Sequence, residues 1–213
     1  MAARDYGQYG GVTRALELVG ERWALLIVRD LLVGPRRYGE LAAGLPRIPS
    51  NILAVRLKEL QAVGLIRRVP HSRVIVYELT PYGRELEPVV LALGAWGFKA
   101  LDEPREEQII TPDSMTMDLR TAFRPEVAAS LPATAYAARF GSAELLIRVD
   151  GSALDVARGG GPADLAFVAG AGIRRLISGE LAPDRAIATG VVEVLRGRGD
   201  LLARFATTFH LAA

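Results

Sequence analysis

The chain of 213 residues contains no cysteine and two histidines, His71 and His210, far apart in sequence. Disulfides, thiolate metal sites and thiol redox chemistry are therefore outside its repertoire. The carboxylates do not cluster and no nucleophile–base pair is present, so no enzyme, metal site or cofactor is expected. Gly159-Gly160-Gly161 and Gly170-Ala171-Gly172 lack the spacing of a phosphate-binding loop and have no lysine nearby, so they read as turn glycines. What remains is positive charge. Between residues 36 and 73, eight basic residues face two acids, Glu40 and Glu59. Residues 1–101 carry 14 Lys/Arg against 9 Asp/Glu, a net of +5. Such a patch suits a polyphosphate, because each neutralised phosphate releases condensed counterions.

The elements that must position these charges can be read in order. Within the run Pro35 to Asn51 a short helix precedes a Pro-containing turn, and a second helix follows over Ile52 to Val63. Ser50 stands where an N-cap belongs, and Gly64 where a left-handed residue ends a helix. At 100° per residue, Leu53, Leu57 and Leu60 share one narrow face, which should pack inward. Asn51, Val55 and Lys58 lie opposite, with Ala54 on the shoulder, forming a small, part-polar face able to approach base edges. Arg56 projects beside the apolar stripe and is left as either a phosphate contact or a structural ion pair. Two β-prone segments, Leu65–Val69 and Val74–Leu79, then flank Pro70-His71-Ser72-Arg73. Helix, turn, helix and basic hairpin make the layout of a winged helix, whose second helix enters the major groove while the hairpin grips the backbone. The candidate DNA contacts are Arg36, Arg37, Ser50, Asn51, Ala54, Val55, Lys58, His71 and Arg73. A lone histidine at a polar hairpin tip is usually a solvated side chain, with a direct DNA contact as the lesser alternative.

Upstream, Val12–Val19 and Trp23–Val33 read as helices, the second apolar on nearly every side except Arg29 and Asp30. Trp23 is expected to anchor the core rather than stack on a ligand. Downstream, Thr80-Pro81 opens a helix running to about Leu101, with Leu86, Val89, Val90, Leu93 and Trp96-Gly97 along one side; Leu86, Val90, Leu93 and Trp96 are the candidate dimer contacts. That helix is too apolar for a lone surface element, so it is core, a dimer face, or both. Residues 102–113 hold five acids, one base and two prolines, which marks an acidic linker. The expected division is therefore a DNA-binding and dimerisation domain over 1–101, the linker, and a second domain over 114–213. No apolar run reaches the roughly 18 residues of a membrane span, and the start lacks a signal peptide, so a cytoplasmic location is expected.

The first hundred residues resemble the HxlR-type winged-helix regulators, a bacterial branch close to the MarR group. The similarity is carried by Ala15–Trp23, Leu25–Leu32, Gly34–Tyr38, Leu57-Lys58-Glu59-Leu60, Gly64-Leu65-Ile66 and Tyr77–Gly83. It implies a sequence-specific transcriptional regulator that is a homodimer, joined through the first and last helices of the domain, with one recognition helix per operator half-site. Many members carry a cysteine before the first helix; here that stretch is Tyr6-Gly7-Gln8-Tyr9-Gly10-Gly11, so redox sensing by that route is excluded.

Residues 114–213 are nearly charge-balanced, with 11 Arg and 10 Asp/Glu. Strands are expected at 134–140, 144–149, 153–158 and 164–168, with Asp150-Gly151 as a hairpin turn. A short helix at 170–178, a strand at 186–195 and a terminal helix capped by Asp200 complete the reading. An antiparallel sheet with helices on one side is an α+β layer sandwich. The order is similar to sterol-carrier-protein domains, most of all over Gly190–Val194 and Gly199–Phe205, which implies a cavity for an apolar molecule. Leu201, Phe205 and Phe209 are spaced to wall such a cavity, or simply to pack on the sheet.

Together these features predict a dimeric DNA-binding regulator responsive to an apolar effector held by its second domain. The competing readings are a lipid-binding or carrier module whose winged helix contacts proteins, and a hydrolase of apolar esters, which lacks the nucleophile–base pair.

Overall fold

The computed structural model describes residues 5–102, 105 and 107–211. The chain divides into two compact units, Met1–Val90 and Leu91–Ala213. The seam falls inside a helix, upstream of the acidic segment expected to separate the domains. Among the described residues, no helix is long and apolar enough to cross a membrane.

The first unit contains α1 (Gly11–Val19), α2 (Ala24–Val33), α3 (Tyr38–Gly44), α4 (Ser50–Ala62), the hairpin β1 (Ile66–His71) and β2 (Val74–Leu79), and α5 (Pro81–Arg84). Its core takes Ile27, Val28 and Leu31 from α2, Leu41 from α3, Leu53, Leu57 and Leu60 from α4, and Val76 and Leu79 from β2. The α4 stripe is thus inward, as its spacing predicts. Trp23 is not the core anchor expected of it. It is half-buried, adopts φ +81° just before α2, and carries the Arg22 guanidinium 4.9 Å from its ring centre. Asp30, expected as a polar exception on α2, is buried and paired with Arg29 at 2.7 Å.

The single long helix expected over 80–101 is two helices. Thr80 accepts a bond from the Gly83 amide at 3.1 Å and caps the four-residue α5. The chain turns at Glu85-Leu86 and continues as α6 (Glu87–Phe98). Phe98 is buried, whereas Val89, Leu93 and Trp96 are exposed.

The second unit adds α7 (Pro112–Ala122), α8 (Pro125–Ala128), β3 (Thr134–Phe140), β4 (Ala143–Asp150), β5 (Ala153–Arg158), β6 (Leu165–Ala169), α9 (Ile173–Ile177), α10 (Pro183–Ala188), β7 (Val192–Gly197) and α11 (Asp200–Thr208). The linker expected over 102–113 runs too far, since Thr111 caps α7 and Asp113 is buried in that helix's first turn against Arg158 at 2.6 Å. Glu103, Pro104 and Glu106 of that segment lie outside the described residues.

The five-stranded sheet has the order β5-β4-β3-β6-β7. It is mixed rather than antiparallel, because β6 pairs parallel with β3. Residues 159–164 must therefore cross from the β5 edge to the far side of β3. They do so over the outer face, where a Cβ on Gly161 would stand 2.7 Å from Leu146 Cδ2. Gly160 and Gly161 thus serve a close crossing more than a turn, and Leu146, on the otherwise exposed face of β4, is buried beneath it. The strand expected over 186–195 is instead the end of α10, a Gly190 turn with φ +72°, and β7. The β4–β5 turn is Gly151-Ser152, one residue later than expected, since Asp150 still pairs with Ala153. Asp200 is the first residue of α11 rather than its cap, and it pairs with Arg198 at 3.0 Å.

Candidate nucleic-acid interface

The first unit fixes α4 at both ends and along its length. At its start, the Tyr38 hydroxyl of α3 donates to the Ser50 carbonyl at 2.7 Å. Ser50 is not the N-cap that its type suggests: Pro49 holds that place, and Ser50 is the exposed first helical residue without a capping bond. At the other end, Leu65 N–H donates to Leu60 C=O and Gly64 N–H to Gln61 C=O, both at 3.0 Å, with Gly64 at φ +74°. These are the two bonds of a Schellman ending, which satisfies carbonyls the helix leaves over. In the middle, Arg56 is 7% exposed and pairs with Glu21 at 2.9 Å and with Glu59. The alternative left open for Arg56 resolves as a structural ion pair, which ties α4 to the turn between α1 and α2.

With the inner face so anchored, the outer face presents Asn51, Val55 and Lys58 to solvent, with Ala54 half-buried beside them. Behind it, α3 is held by the Arg37 amide donating to Glu40 Oε2 at 2.6 Å, which leaves the Arg37 residue exposed. Arg36 plays a different part. Its backbone exchanges two hydrogen bonds with Tyr77, at 2.9 and 2.7 Å, adding a third edge to the hairpin. Its side chain is half-buried and donates to the Pro35 carbonyl.

The wing is in register from Ile66↔Leu79 to His71↔Val74, so its turn is the two residues Ser72-Arg73. His71 is the last residue of β1 rather than part of the turn, and Ser72 sits in the left-handed region at φ +54°. Arg67 pairs with Glu78 across the strands at 2.6 Å. Arg68, His71 and Arg73 are exposed. A concavity lined by Arg22, Trp23, Arg47, Pro49, Ile52 and Arg56 lies at the N-terminal end of α4. Arg22 and Arg47, both exposed, belong to this basic surface. No helical periodicity could have found them, because they lie in turns outside α4. Among the described residues, no group of three or more His, Asp or Glu side chains could hold a metal.

Of the four residues expected at a dimer face, Leu86 and Val90 are half-buried, while Leu93 and Trp96 are 44% and 74% exposed. The three expected ligand residues do not wall a cavity. Phe205 and Phe209 are fully buried, with ring centres 4.7 Å apart. Phe205 also meets Tyr136 and Phe167 edge-on at 5.3 Å each, and Leu201 packs partly buried against the same core. The rings pack against one another, so the apolar spacing in α11 serves the core. Burial pushes the Tyr136 hydroxyl up to about 12, against the opposing pull of Arg204 and a hydrogen bond to Thr134. At the surface, the Arg174 guanidinium and the Ser178 hydroxyl hold Glu180 below the usual carboxylate range.

The HxlR-like helix-turn-helix family model matches residues 18–105. An uncharacterised HTH-type transcriptional regulator of Mycobacterium tuberculosis is 48% identical over 96 residues, which are 44% of this chain and 60% of the relative. The chain thus spans three-fifths of that relative's length. The uncharacterised HTH-type transcriptional regulator YvaP of Bacillus subtilis is 36% identical over 92 residues, 42% of this chain and 85% of the relative. Among solved structures, the reduced form of the transcriptional regulator YodB from B. subtilis is 31% identical, covering 46% of this chain and all of that one, with a TM-score of 0.39. With 85% of YvaP covered at this identity, the chain belongs to the HxlR-like helix-turn-helix family.

Proposed function

We propose that the protein is a cytoplasmic, dimeric transcriptional regulator that binds a pseudo-palindromic operator. The outer face of α4 enters the major groove, with Asn51 as base-reading side chain and Lys58 at its edge. Arg37, Arg22 and Arg47 meet phosphates near the start of α4, and Arg68 and Arg73 meet them from the wing. The observation that carries this reading is the division of labour within α4. Its inner face and its arginine are consumed by the protein, while its outer face is left small and polar. The printed names of the relatives, HTH-type transcriptional regulators, support the same class.

Leu86, Val90, Leu93 and Trp96 with α1 supply the twofold contact in this reading. An exposed tryptophan and leucine on one helix are what an isologous surface requires. The second unit, which we take to be of sterol-carrier type, holds an effector. Selection of duplexes from a random pool, followed by footprinting, tests the proposal. Two symmetric half-sites about one helical turn apart are expected. Recovery of no sequence above background at any salt concentration would refute it.

A further inference from the structure

The second unit contains a cavity of about 230 Å³ away from the packed Phe205–Phe209 core. Phe98, Met115, Ile173 and Ile177, none more than 7% exposed, form its apolar wall. Leu101 and Ile109, 52% and 55% exposed, also line it and so sit at the mouth. Exposed apolar side chains at the mouth of an apolar cavity are surface that an occupant would remove from water. The volume lies below the roughly 300–1,000 Å³ of sites for drug-sized ligands, which excludes a sterol or a long acyl chain and suits one or two rings.

The polar atoms of the lining decide what else the occupant carries. Asp118 already has a partner within the protein, and Asp102 is exposed, where water and salt screen its charge. Arg174 gives both terminal nitrogens to the Glu180 carboxylate, at 2.7 and 3.0 Å, so its charge is balanced as well. Neither an ammonium nor a carboxylate therefore finds a strong opposite charge here, and either would lose hydration against the apolar wall. Ser114 is committed to the cap of α7 with Thr111, and the Gln108 side-chain carbonyl accepts from the Arg105 amide at 2.8 Å. Arg174 Nε, by contrast, is a buried donor without a hydrogen-bond partner. A buried donor left unsatisfied is costly, and a neutral oxygen acceptor relieves that cost without importing charge.

We propose that this cavity binds a compact, uncharged molecule of one or two rings bearing a carbonyl or ether oxygen. Its rings lie against Phe98, Met115, Ile173 and Ile177, and its oxygen accepts from Arg174 Nε. Phe98 is the last residue of α6, the helix whose earlier turns carry Leu93 and Trp96. An occupant packed on Phe98 fixes the end of that helix and so favours one arrangement of the twofold surface. This coupling rests on the regulator reading and on the effector role proposed for the second unit; binding itself does not.

The test is calorimetry, the full chain titrated into four probes of nearly equal size: 1-acetonaphthone, 1-ethylnaphthalene, 1-naphthoate and 1-naphthylmethylamine. The ketone should bind one-to-one, the hydrocarbon about tenfold or more weaker, and the two ions more weakly still or not at all. Arg174→Met should lower the ketone to the affinity of the hydrocarbon, whereas Glu180→Gln, which keeps Nε, should leave the ketone within about twofold. Ala171→Phe, or Ile173→Trp if the first variant does not fold, should fill the cavity and abolish ketone binding with the thermal melt retained. Equal affinity for ketone and hydrocarbon, an ion that binds as tightly as the ketone, no binding of any probe, or ketone binding that survives a filled cavity would each overturn the site. Altered operator affinity on adding the ketone supports the coupling, and unaltered affinity overturns it. A chain that binds the ketone but no DNA fails the regulator reading instead.

Discussion

Lys58 and Arg56 stand two residues apart on α4 with the same charge, yet they should behave oppositely on DNA. Lys58 is exposed on the outer face, whereas Arg56 is buried between Glu21 and Glu59. Lys58→Ala removes one phosphate contact per protomer, or two per bound dimer. Each contact contributes about 0.9 to the slope of log affinity against log salt, so the slope should fall by about 1.8. Between 200 and 50 mM salt that change compounds to about twelvefold, so the variant should fall further behind the native protein as salt is lowered. Arg56→Met removes an equal charge but strands two partly buried carboxylates. It should cost about 3 kcal/mol of stability or more, with the slope unchanged wherever the variant is folded. Fluorescence anisotropy on a labelled operator at four or five salt concentrations, with a denaturation curve for each variant, separates the two effects. An Arg56→Met slope reduced as much as that of Lys58→Ala would refute the division of α4 into structural and DNA-facing charges. So would a native slope in Lys58→Ala.

Other consequences follow from single sites. Replacing Leu93 or Trp96 by glutamate should give monomers or aggregates in light scattering and weaken operator binding, while a folded dimer of native affinity would count against α6 as the twofold surface. Gly83→Ala places a Cβ 2.0 Å from the Leu65 carbonyl oxygen and 3.1 Å from Leu79 Cδ2, where α5 meets the base of the wing. A stability loss of about 1–3 kcal/mol is expected in urea unfolding, and a loss below 0.5 kcal/mol would mean the backbone yields there. Tyr136 keeps its proton to about pH 12 in the folded chain against an ordinary value of 10.0. The raised value means its contribution is complete below pH 10 and is lost as pH rises toward 12, by about 3 kcal/mol in all. Tyr136→Phe should remove that alkaline step from the stability profile; an identical profile in both proteins would refute the assignment.

Local periodicity carried the reading wherever burial is one-sided within a single element. Leu53, Leu57 and Leu60 turned inward on α4, and Leu145, Ile147 and Val149 on β4, because a helix or strand with one apolar stripe has one way to hide it. Spacing along the chain misleads where the deciding partner is remote in sequence. The parallel contact of β3 with β6 leaves no mark in alternation, since a strand buried on one face alternates alike in either direction. Phe205 and Phe209 fit a cavity wall and a filled core equally well by composition, and ring-to-ring distances of 4.7 to 5.3 Å across α11, β3 and β6 decide for the core. The break at Glu85-Leu86 is marked by Pro88, which suits the first turn of α6, while the Gly83 approach to Leu65 cannot be read from spacing along the chain.

Charge shows the same limit most sharply. Eight basic residues between 36 and 73 suggest one continuous patch. In the folded chain Arg56 and Arg67 are paired with glutamates, and Arg36 helps hold the hairpin in place. The surface that faces outward also gains Arg22, which lies outside the counted stretch. A count of charges measures the total available to a site. How many of them a phosphate can reach depends on which carboxylates the fold brings within about 3 Å of them, and that follows from tertiary packing rather than from spacing along the chain.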